Sequence, residues 1–310
     1  MPTPVRKLEV PGLRGRLWVK DEGLASPAYG GNKVRKLEYL LADARERGAT
    51  DLVTWGAVGS HHVIATAVHG AAHDLRTHAL LFAQPETAHV RENALAIDRL
   101  CASWTVLPGL RRGALAAAAH VLRVRRATGR QPYLVALGGS SPLGVLGWID
   151  GGIELAEQLP EVSRVYVAVG TGGTAAGLLA GLAIAGRDVE VVGVRVATRL
   201  VANPFRIRLL ARQALALRGT RARLGRLRIV DSWMCGAYGR WDERVERAVA
   251  RGREVGLGLE TTYTGKAFGA CLEELERDEV DAAYVHTLSA VDPEVGDGTL
   301  PPELERLILP

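Results

Sequence analysis

The chain has 310 residues, 47% hydrophobic and 24% charged, which is enough to bury a sizeable core in one or two domains. No stretch approaches the roughly 18 apolar residues that cross a bilayer, and the start lacks the apolar core of a signal peptide, so we expect a cytoplasmic protein without a membrane partner. The net charge of +5 comes from arginines that mostly stand beside Asp or Glu, a pattern typical of solvated surface rather than of nucleic-acid binding. The three cysteines lie far apart, and no His or Cys cluster has zinc-site spacing, so reduced thiols and no metal site are predicted.

Short apolar, β-branched segments alternate with longer segments of helical period along the chain. This alternation predicts an α/β fold with a mainly parallel sheet covered by helices on both faces. Helices are predicted over stretches such as 33–48 and 114–129, and no internal repeat is present. The predicted strands begin at Leu17, Asp51, Thr77, Ser103, Pro132, Arg164, Val189, Leu227 and Ala282.

The first segment with chemical potential is YGGNKVRKLEYLL, residues 29–41. Two glycines permit a tight turn, Asn32 can cap, and Lys33 then opens a helix, where the helix dipole and the neighbouring cations lower the pKa of its amine. Only five of the 39 basic residues are lysines. Because guanidinium is not a nucleophile, each retained lysine is a candidate for a role that needs an amine. A surface lysine after a glycine turn remains the alternative.

Gly59-Ser60-His61-His62 follows an apolar strand and lies at a helix start, a geometry suited to an anion such as a substrate carboxylate. The two histidines are adjacent and cannot form the i, i+4 pair of a metal site. Taken alone, Ser60 is more often a helix cap than a ligand.

A second glycine-rich turn joins an apolar strand to a helix of small residues and consists of Gly170, Thr171, Gly172, Gly173 and Thr174. Backbone N–H groups and the helix N-terminus converge there, which predicts a phosphate site. The turn has neither the GK[ST] of a P-loop nor the spacing of a dinucleotide fingerprint. Farther along, Tyr238 and Tyr263 each lie in a glycine-flanked turn from which a phenol can reach a ligand, although packing with a satisfied hydroxyl is the alternative for either.

In this order, GGNKVRKLEYLL, GGSSPLG, GTGGTAAGL and YTGKAFG resemble the D-cysteine desulfhydrase and 1-aminocyclopropane-1-carboxylate deaminase family. The resemblance runs from about residue 17 to residue 287. It implies a fold-type II pyridoxal-5'-phosphate (PLP) enzyme, similar to the tryptophan synthase β subunit, with two open twisted sheets, and a homodimer. It also implies a large cofactor-binding domain, 1–35 and 148–310, with a small α/β domain, 36–147, inserted.

The resemblance assigns roles residue by residue. Lys33 matches the lysine that carries PLP as a Schiff base, and Lys36 matches the basic residue that holds the phosphate together with the 170–174 turn. Ser60 matches the serine of a Q-S-N-[HQ] loop that binds the substrate carboxylate. Tyr238 and Tyr263 match the two active-site tyrosines. The implied cofactor-binding residues are Lys33, Asn32, Lys36, His61, Gly170, Thr171, Gly172, Gly173, Thr174, Thr264 and Thr287.

Two positions separate the activities within the family. Deaminases resemble Y-E-G-K with H-L-G-G and desulfhydrases Y-[TS]-G-K with H-T-G-G, and this chain has Thr264 and Thr287 there. A carboxylate at the pyridine nitrogen keeps the ring protonated, as opening a cyclopropane demands, whereas a Thr hydroxyl supports a neutral ring, adequate for loss of a thiolate. The chain departs from the pattern at Gly59, at His61 in place of Asn, and at Leu288-Ser289 in place of Gly-Gly.

The resemblance at these positions implies α,β-elimination of D-cysteine, or of a related β-substituted D-amino acid, to pyruvate, ammonia and sulfide. The departures leave open other PLP reactions on another amino acid, namely deamination of 1-aminocyclopropane-1-carboxylate, racemisation or β-replacement. A noncatalytic protein that binds a nucleotide at 170–174 is the alternative from a different class.

Overall fold

The computed structural model describes residues 2–107, 110–295 and 298–310. They form two compact units, Met1–Lys36 with Ser140–Ala290 and Leu37–Gly139 with Val291–Pro310. The domains implied by the resemblance, 1–35 with 148–310 and 36–147, stay a prediction. In the two units the chain changes over after Lys36 and at Ser140, and Val291–Pro310 groups with the second unit.

Strands and helices alternate as the sequence predicts. The strands are β1 (Val5–Leu8), β2 (Leu17–Asp21), β3 (Asp51–Ala57), β4 (Arg76–Phe82), β5 (Gln84–Pro85), β6 (Ser103–Val106), β7 (Tyr133–Leu134), β8 (Arg164–Val169), β9 (Glu190–Arg195), β10 (Leu227–Val230), β11 (Ala282–His286) and β12 (Ile308–Leu309). The helices are α1 (Val34–Glu46), α2 (His61–Ala71), α3 (Ala88–Leu100), α4 (Leu110–Thr128), α5 (Pro142–Gln158), α6 (Gly173–Ile184), α7 (Pro204–Leu217), α8 (Glu243–Glu254), α9 (Thr264–Leu275) and α10 (Pro302–Glu305). Short 3-10 turns cover Glu22–Leu24 and Leu137–Gly139.

The sheet of the first unit has the order β1-β2-β11-β8-β9-β10, and only the β1 edge strand is antiparallel. Side chains alternate between the two faces of a strand. Tyr166 and Val192 pack with residues of α8 and α9 in one core cluster. Val165 and Val191, on the opposite face, are also buried, and α6 packs against β8 and β9. Both faces of this sheet are therefore covered, as predicted.

The second unit has a four-stranded, fully parallel sheet of order β6-β4-β3-β7 and a two-stranded pair, β12-β5. All nine predicted strands are present, although only two residues of the one expected from Pro132 pair as β7. Strands β1, β5 and β12 were not predicted. Among the described residues, no helix combines the length and apolar character needed to span a membrane.

Candidate active site

Lys33 lies in the turn directly before α1. We expected Lys33 to be the first residue of this helix, but the helix begins at Val34. Its Nζ donates to Asn32 Oδ1 at 2.8 Å, and Asn32 Nδ2 donates to Thr174 Oγ1 at 2.9 Å. The backbone carbonyl of Asn32 accepts from Trp148 Nε1 at 2.8 Å. We expected Asn32 to cap the helix, but its side chain instead links the lysine to the first turn of α6.

The Lys33 amine has an unusually low proton affinity. Burial lowers its pKa to about 8, and the negative charge of Glu260 opposes the shift in part. The predicted direction is confirmed, but the main cause is desolvation rather than the neighbouring cations. A lysine in this state has a substantial neutral fraction near neutral pH and can act as a nucleophile or a base.

The glycine-rich turn leads into α6 as predicted. Gly172 precedes the helix with φ of +86°, a conformation that favours glycine, and no side chain of the described residues caps the helix there. A buried Lys36 Nζ lies 3.3 Å from Ser140 Oγ, and Ser140 Oγ lies 2.6 Å from Thr171 Oγ1. Hydroxyl groups, an amine and helix N–H groups thus meet at one place.

Gly173 keeps this place open. A Cβ at Gly173 would lie 2.4 Å from Ser140 Oγ and 2.9 Å from Lys36 Nζ, so any side chain would fill the space beside these donors. The pKa of Lys36 is held well below its ordinary value by burial and, second, by the charge of Lys33. A buried amine whose protonation is opposed by a neighbouring lysine suits a site that receives an anion.

The two predicted tyrosines meet. Tyr238 and Tyr263 join their hydroxyls at 2.7 Å with their rings edge to face, and the Tyr263 ring packs 3.3 Å from where a Cβ of Gly170 would lie. Burial raises the pKa of Tyr238 to about 12 and that of Tyr263 well above its usual value. Both phenols are therefore protonated at neutral pH. Since only one O–H is used in the mutual bond, the pair keeps one hydrogen to donate.

Glu260 organises the start of α9. Its carboxylate accepts the backbone N–H groups of Thr262, Tyr263 and Thr264 at 2.6–2.8 Å and lies 3.0 Å from the Thr264 hydroxyl. The same hydroxyl accepts from the Glu260 N–H at 2.8 Å. Thr264 is thus tied to Glu260 at the first turn of α9, a contact that the sequence did not predict.

Thr287 and its neighbours hold the glycine turn before Lys33. The Thr287 carbonyl accepts the Asn32 N–H at 3.2 Å, and Ser289 Oγ accepts the Gly30 N–H at 2.8 Å. The Ser289 departure from the family pattern therefore has a structural use, because its hydroxyl fixes the turn that presents the lysine. The Thr287 side chain is half-buried.

The second unit carries Ser60 and His61. Ser60 caps α2, and its Oγ accepts the Val63 N–H at 3.4 Å. Because that bond uses a lone pair, the hydroxyl hydrogen can still be donated. His61 begins the helix, and its Nε2 lies 2.6 Å from His89 Nε2. Among the described residues, no group of three or more His, Cys, Asp or Glu is arranged to hold a metal ion.

Residues 1–289 match the sequence pattern of a protein family, which is described as "pyridoxal-phosphate dependent enzyme". The chain belongs to this family of PLP-dependent enzymes. This membership bears out the predicted cofactor and excludes the noncatalytic nucleotide-binding alternative.

Relatives narrow the subgroup. A protein of Pyrococcus abyssi, assigned provisionally as a 1-aminocyclopropane-1-carboxylate deaminase, is 34% identical over 87% of this chain and 83% of its own length. D-cysteine desulfhydrase of Salmonella paratyphi B is 32% identical over 92% of this chain and 91% of its own. The crystal structure of a homologue of 1-aminocyclopropane-1-carboxylate (ACC) deaminase superposes on this chain with a TM-score of 0.82 at 28% identity. The superposition covers 99% of this chain and 94% of that one. The enzyme is thus a fold-type II, PLP-dependent lyase related to D-cysteine desulfhydrase and 1-aminocyclopropane-1-carboxylate deaminase.

The residues of the first unit fit the cofactor. The space that a Gly173 side chain would fill is lined by Ser140, Lys36 and the α6 N-terminus, donors that a phosphate requires. An amine with a lowered pKa lies one hydrogen-bonded residue away, at Lys33, and could join an aldehyde.

Two residues that shape this site, Ser140 and Glu260, were not predicted from the sequence. Ser140 stands in GGSSPLG, which was used only for the resemblance, and Glu260 stands three residues before Tyr263. A signal for Glu260 existed, because an acidic residue just before a helix start can accept its free N–H groups. No signal on the sequence placed Ser140 beside Thr171.

Proposed function

We propose that this enzyme catalyses α,β-elimination of D-cysteine or a related β-substituted D-amino acid. For D-cysteine the balance is one water consumed and one pyruvate, one ammonia and one sulfide produced. The observation that carries the proposal is Thr264 at the first diagnostic position, a hydroxyl where deaminases of the family have a carboxylate. Thr287 at the second position agrees with it.

Different residues of the first unit are proposed to hold the cofactor and to transfer protons. When bound, PLP supplies an electron sink for the negative charge left at the substrate α-carbon. Lys33 would hold the cofactor, and its amine, when neutral, would take the α-proton of the substrate. Lys36, Asn32, Ser140 and the 170–174 turn would hold the phosphate. The proton that the Tyr238–Tyr263 pair retains is proposed to go to the departing sulfur.

Ser60 is proposed to bind the substrate, and His61 is proposed to bind the cofactor. The Ser60 hydroxyl, which keeps its hydrogen available at the start of α2, would donate to the substrate carboxylate. His61 would donate to the phenolic oxygen of the cofactor in place of the family's Asn. Thr264 and Thr287 are assigned to the ring nitrogen.

The Thr264 hydroxyl already exchanges hydrogen bonds with Glu260. This makes Thr287 the better placed of the two to give its hydroxyl hydrogen to the ring nitrogen.

Deamination of 1-aminocyclopropane-1-carboxylate is the second candidate. The relative from Pyrococcus abyssi carries that name, and Glu260 places a carboxylate at the start of α9. Its oxygens are engaged by three backbone N–H groups, so the carboxylate is committed to the helix, which favours the elimination.

One product assay separates the candidates. The purified enzyme is incubated with D- and L-cysteine, β-chloro-D-alanine and the cyclopropane substrate, and pyruvate, sulfide and 2-oxobutyrate are measured. We expect pyruvate with sulfide from D-cysteine, and none of these products from Lys33→Ala. Production of 2-oxobutyrate as the main activity of the wild type would contradict the elimination, as would sulfide from L-cysteine alone.

We also propose that the enzyme is a cytoplasmic homodimer. Four apolar side chains on and before α7 are 42–78% exposed: Leu200, Phe205, Leu209 and Leu217. Such a face supports burial against a second copy. Light scattering of Phe205→Glu against the wild type would show a loss of dimer if α7 forms the interface.

A further inference from the structure

We propose that the first two turns of α3 shape the loop of residues 59–62, with His89 acting as a positioning residue for His61. The inference rests on the proposed function in one respect, namely that Ser60 of this loop binds the substrate carboxylate and His61 binds the cofactor. It accounts for both departures of the loop from the family's Q-S-N-[HQ] pattern through one neighbouring helix.

Gly59 is required by its contact with α3. A Cβ at Gly59 would lie 2.9 Å from Val90 Cα and 3.0 Å from Val90 Cγ2. Since the nearest atom belongs to the backbone of a helix, no rotamer change could make room. The glutamine of the family pattern therefore cannot fit with α3 in this place, and the helix supplies the packing surface that a longer side chain would have provided.

The carbonyl of the same glycine is held by α3 as well. Asn93, one turn beyond His89 and fully buried, donates from Nδ2 to Gly59 O at 3.0 Å. Its Nδ2 also lies 3.3 Å from His61 Nε2. The bond to a carbonyl fixes which end of the amide carries nitrogen, because the reverse orientation would set two acceptors against each other. Asn93 is therefore a donor toward His61.

His89 completes the arrangement. Its Nε2 lies 2.6 Å from His61 Nε2, with the ring centroids 4.5 Å apart. Two ring nitrogens at this distance need one hydrogen between them. Because Asn93 already donates to His61 Nε2, that atom is the acceptor and His89 Nε2 is the donor.

This assignment sets the tautomer of His61. With Nε2 accepting, the neutral ring carries its hydrogen on Nδ1, so the donor that His61 offers is Nδ1–H. A family asparagine offers its donor through a fixed amide, whereas here the donor is fixed by a second imidazole. His89 thus acts through His61 rather than on the substrate.

The test uses His89→Ala, His89→Gln, whose amide can still donate to His61, and the exposed His73→Ala as matched control. Imidazole ¹⁵N spectra at pH 8 are expected to show His61 as the Nδ1–H tautomer in the wild type, in His89→Gln and in His73→Ala. In His89→Ala only the longer bond from Asn93 to His61 Nε2 remains, so the signals should move part of the way toward the mixture of tautomers seen for free histidine. A wild-type His61 protonated on Nε2 would overturn the proposal.

Cofactor affinity supplies the second readout. Because His61 is proposed to bind the cofactor, His89→Ala should weaken PLP binding to the cofactor-free enzyme about tenfold, and His89→Gln should recover most of the loss. An unchanged PLP affinity in His89→Ala beside a raised KM for the amino acid in Ser60→Ala would overturn the role of His89 and leave the proposed function standing. If the wild type turned over none of the amino acids, the proposed function would fail, and the ¹⁵N spectra would still decide the inference.

Discussion

Lys33 shows how a fold changes the chemistry of a single residue. Its amine is desolvated, with the partial counter-charge of Glu260, and so has a pKa of about 8. Cofactor attachment needs the neutral amine, whose fraction rises about tenfold per pH unit below that value. We predict that the rate at which cofactor-free enzyme binds PLP covalently rises with pH and levels off near 8. Stopped-flow absorbance measures it.

The matched control for this rate is free Nα-acetyl-lysine under the same buffers. The cofactor's own titrations are then common to both reactions, and the free amine should keep accelerating to above pH 10. Equal pH profiles for the enzyme and the free amine would contradict the lowered pKa of Lys33.

At the scale of elements, the turn between β8 and α6 requires glycine at position 173, where the side chain is a single hydrogen atom. In Gly173→Ala the new methyl group would press on Ser140 Oγ and Lys36 Nζ. We predict that PLP affinity falls at least about tenfold, or ~1.4 kcal/mol, while the unfolding midpoint changes little. Fluorescence titration of cofactor-free enzyme measures the affinity.

Gly258→Ala is the control for this substitution, because a Cβ there meets nothing within 4 Å. Its PLP affinity should equal that of the wild type. A Gly173→Ala enzyme that binds the cofactor as tightly as Gly258→Ala would show that the phosphate lies elsewhere.

The elements themselves were largely predictable. Apolar runs such as 164–169 bounded by glycine predict buried parallel strands because both their faces are covered, and β8 confirms it. The edge strand β1 was missed because its exposed Arg6 and Lys7 hide its period. Strand pairs of two residues, such as β5 with β12, carry no local signal at all and arise only from tertiary contacts.

The candidate site was predictable where local sequence makes it and not where distant segments meet. In the 170–174 turn, the glycines and the helix that follows them indicate an anion site. The pairing of Tyr238 with Tyr263 and of His61 with His89 joins residues 25 and 28 positions apart. Only the fold brings such residues together, so Tyr238, Tyr263 and His61 were predictable from the sequence, whereas His89 and both contacts were not.

At the scale of the whole molecule, a buried charge network fixes the segment that carries both site lysines. Arg35 forms hydrogen-bonded ion pairs with Glu22 at 2.7 Å and Glu154 at 2.9 Å. Glu154 also pairs with Lys20, which is fully buried. The network joins β2, the turn after it, α1 and α5, so residues far apart in sequence set the position of Lys33.

We predict that Arg35→Met lowers the free energy of unfolding by about 3–5 kcal/mol, because two carboxylates would lose their buried partner. Arg47→Met, on the chain just beyond the end of α1, is the control. Arg47 pairs with Asp43 while its side chain is 69% exposed, so its loss should cost less than about 1 kcal/mol. Urea unfolding measures both, and equal losses would contradict the importance of the network.

The distribution of lysines has a practical consequence. Lys20, Lys36 and Lys266 are buried and Lys33 is half-buried, whereas Lys7 is the one ε-amine with a widely exposed side chain, at 48%. An amine-reactive dye or resin used briefly should therefore modify Lys7 before any other lysine. Modification at Lys7, on β1, would leave the Lys33 amine unmodified, so the labelled enzyme should keep its capacity to bind PLP.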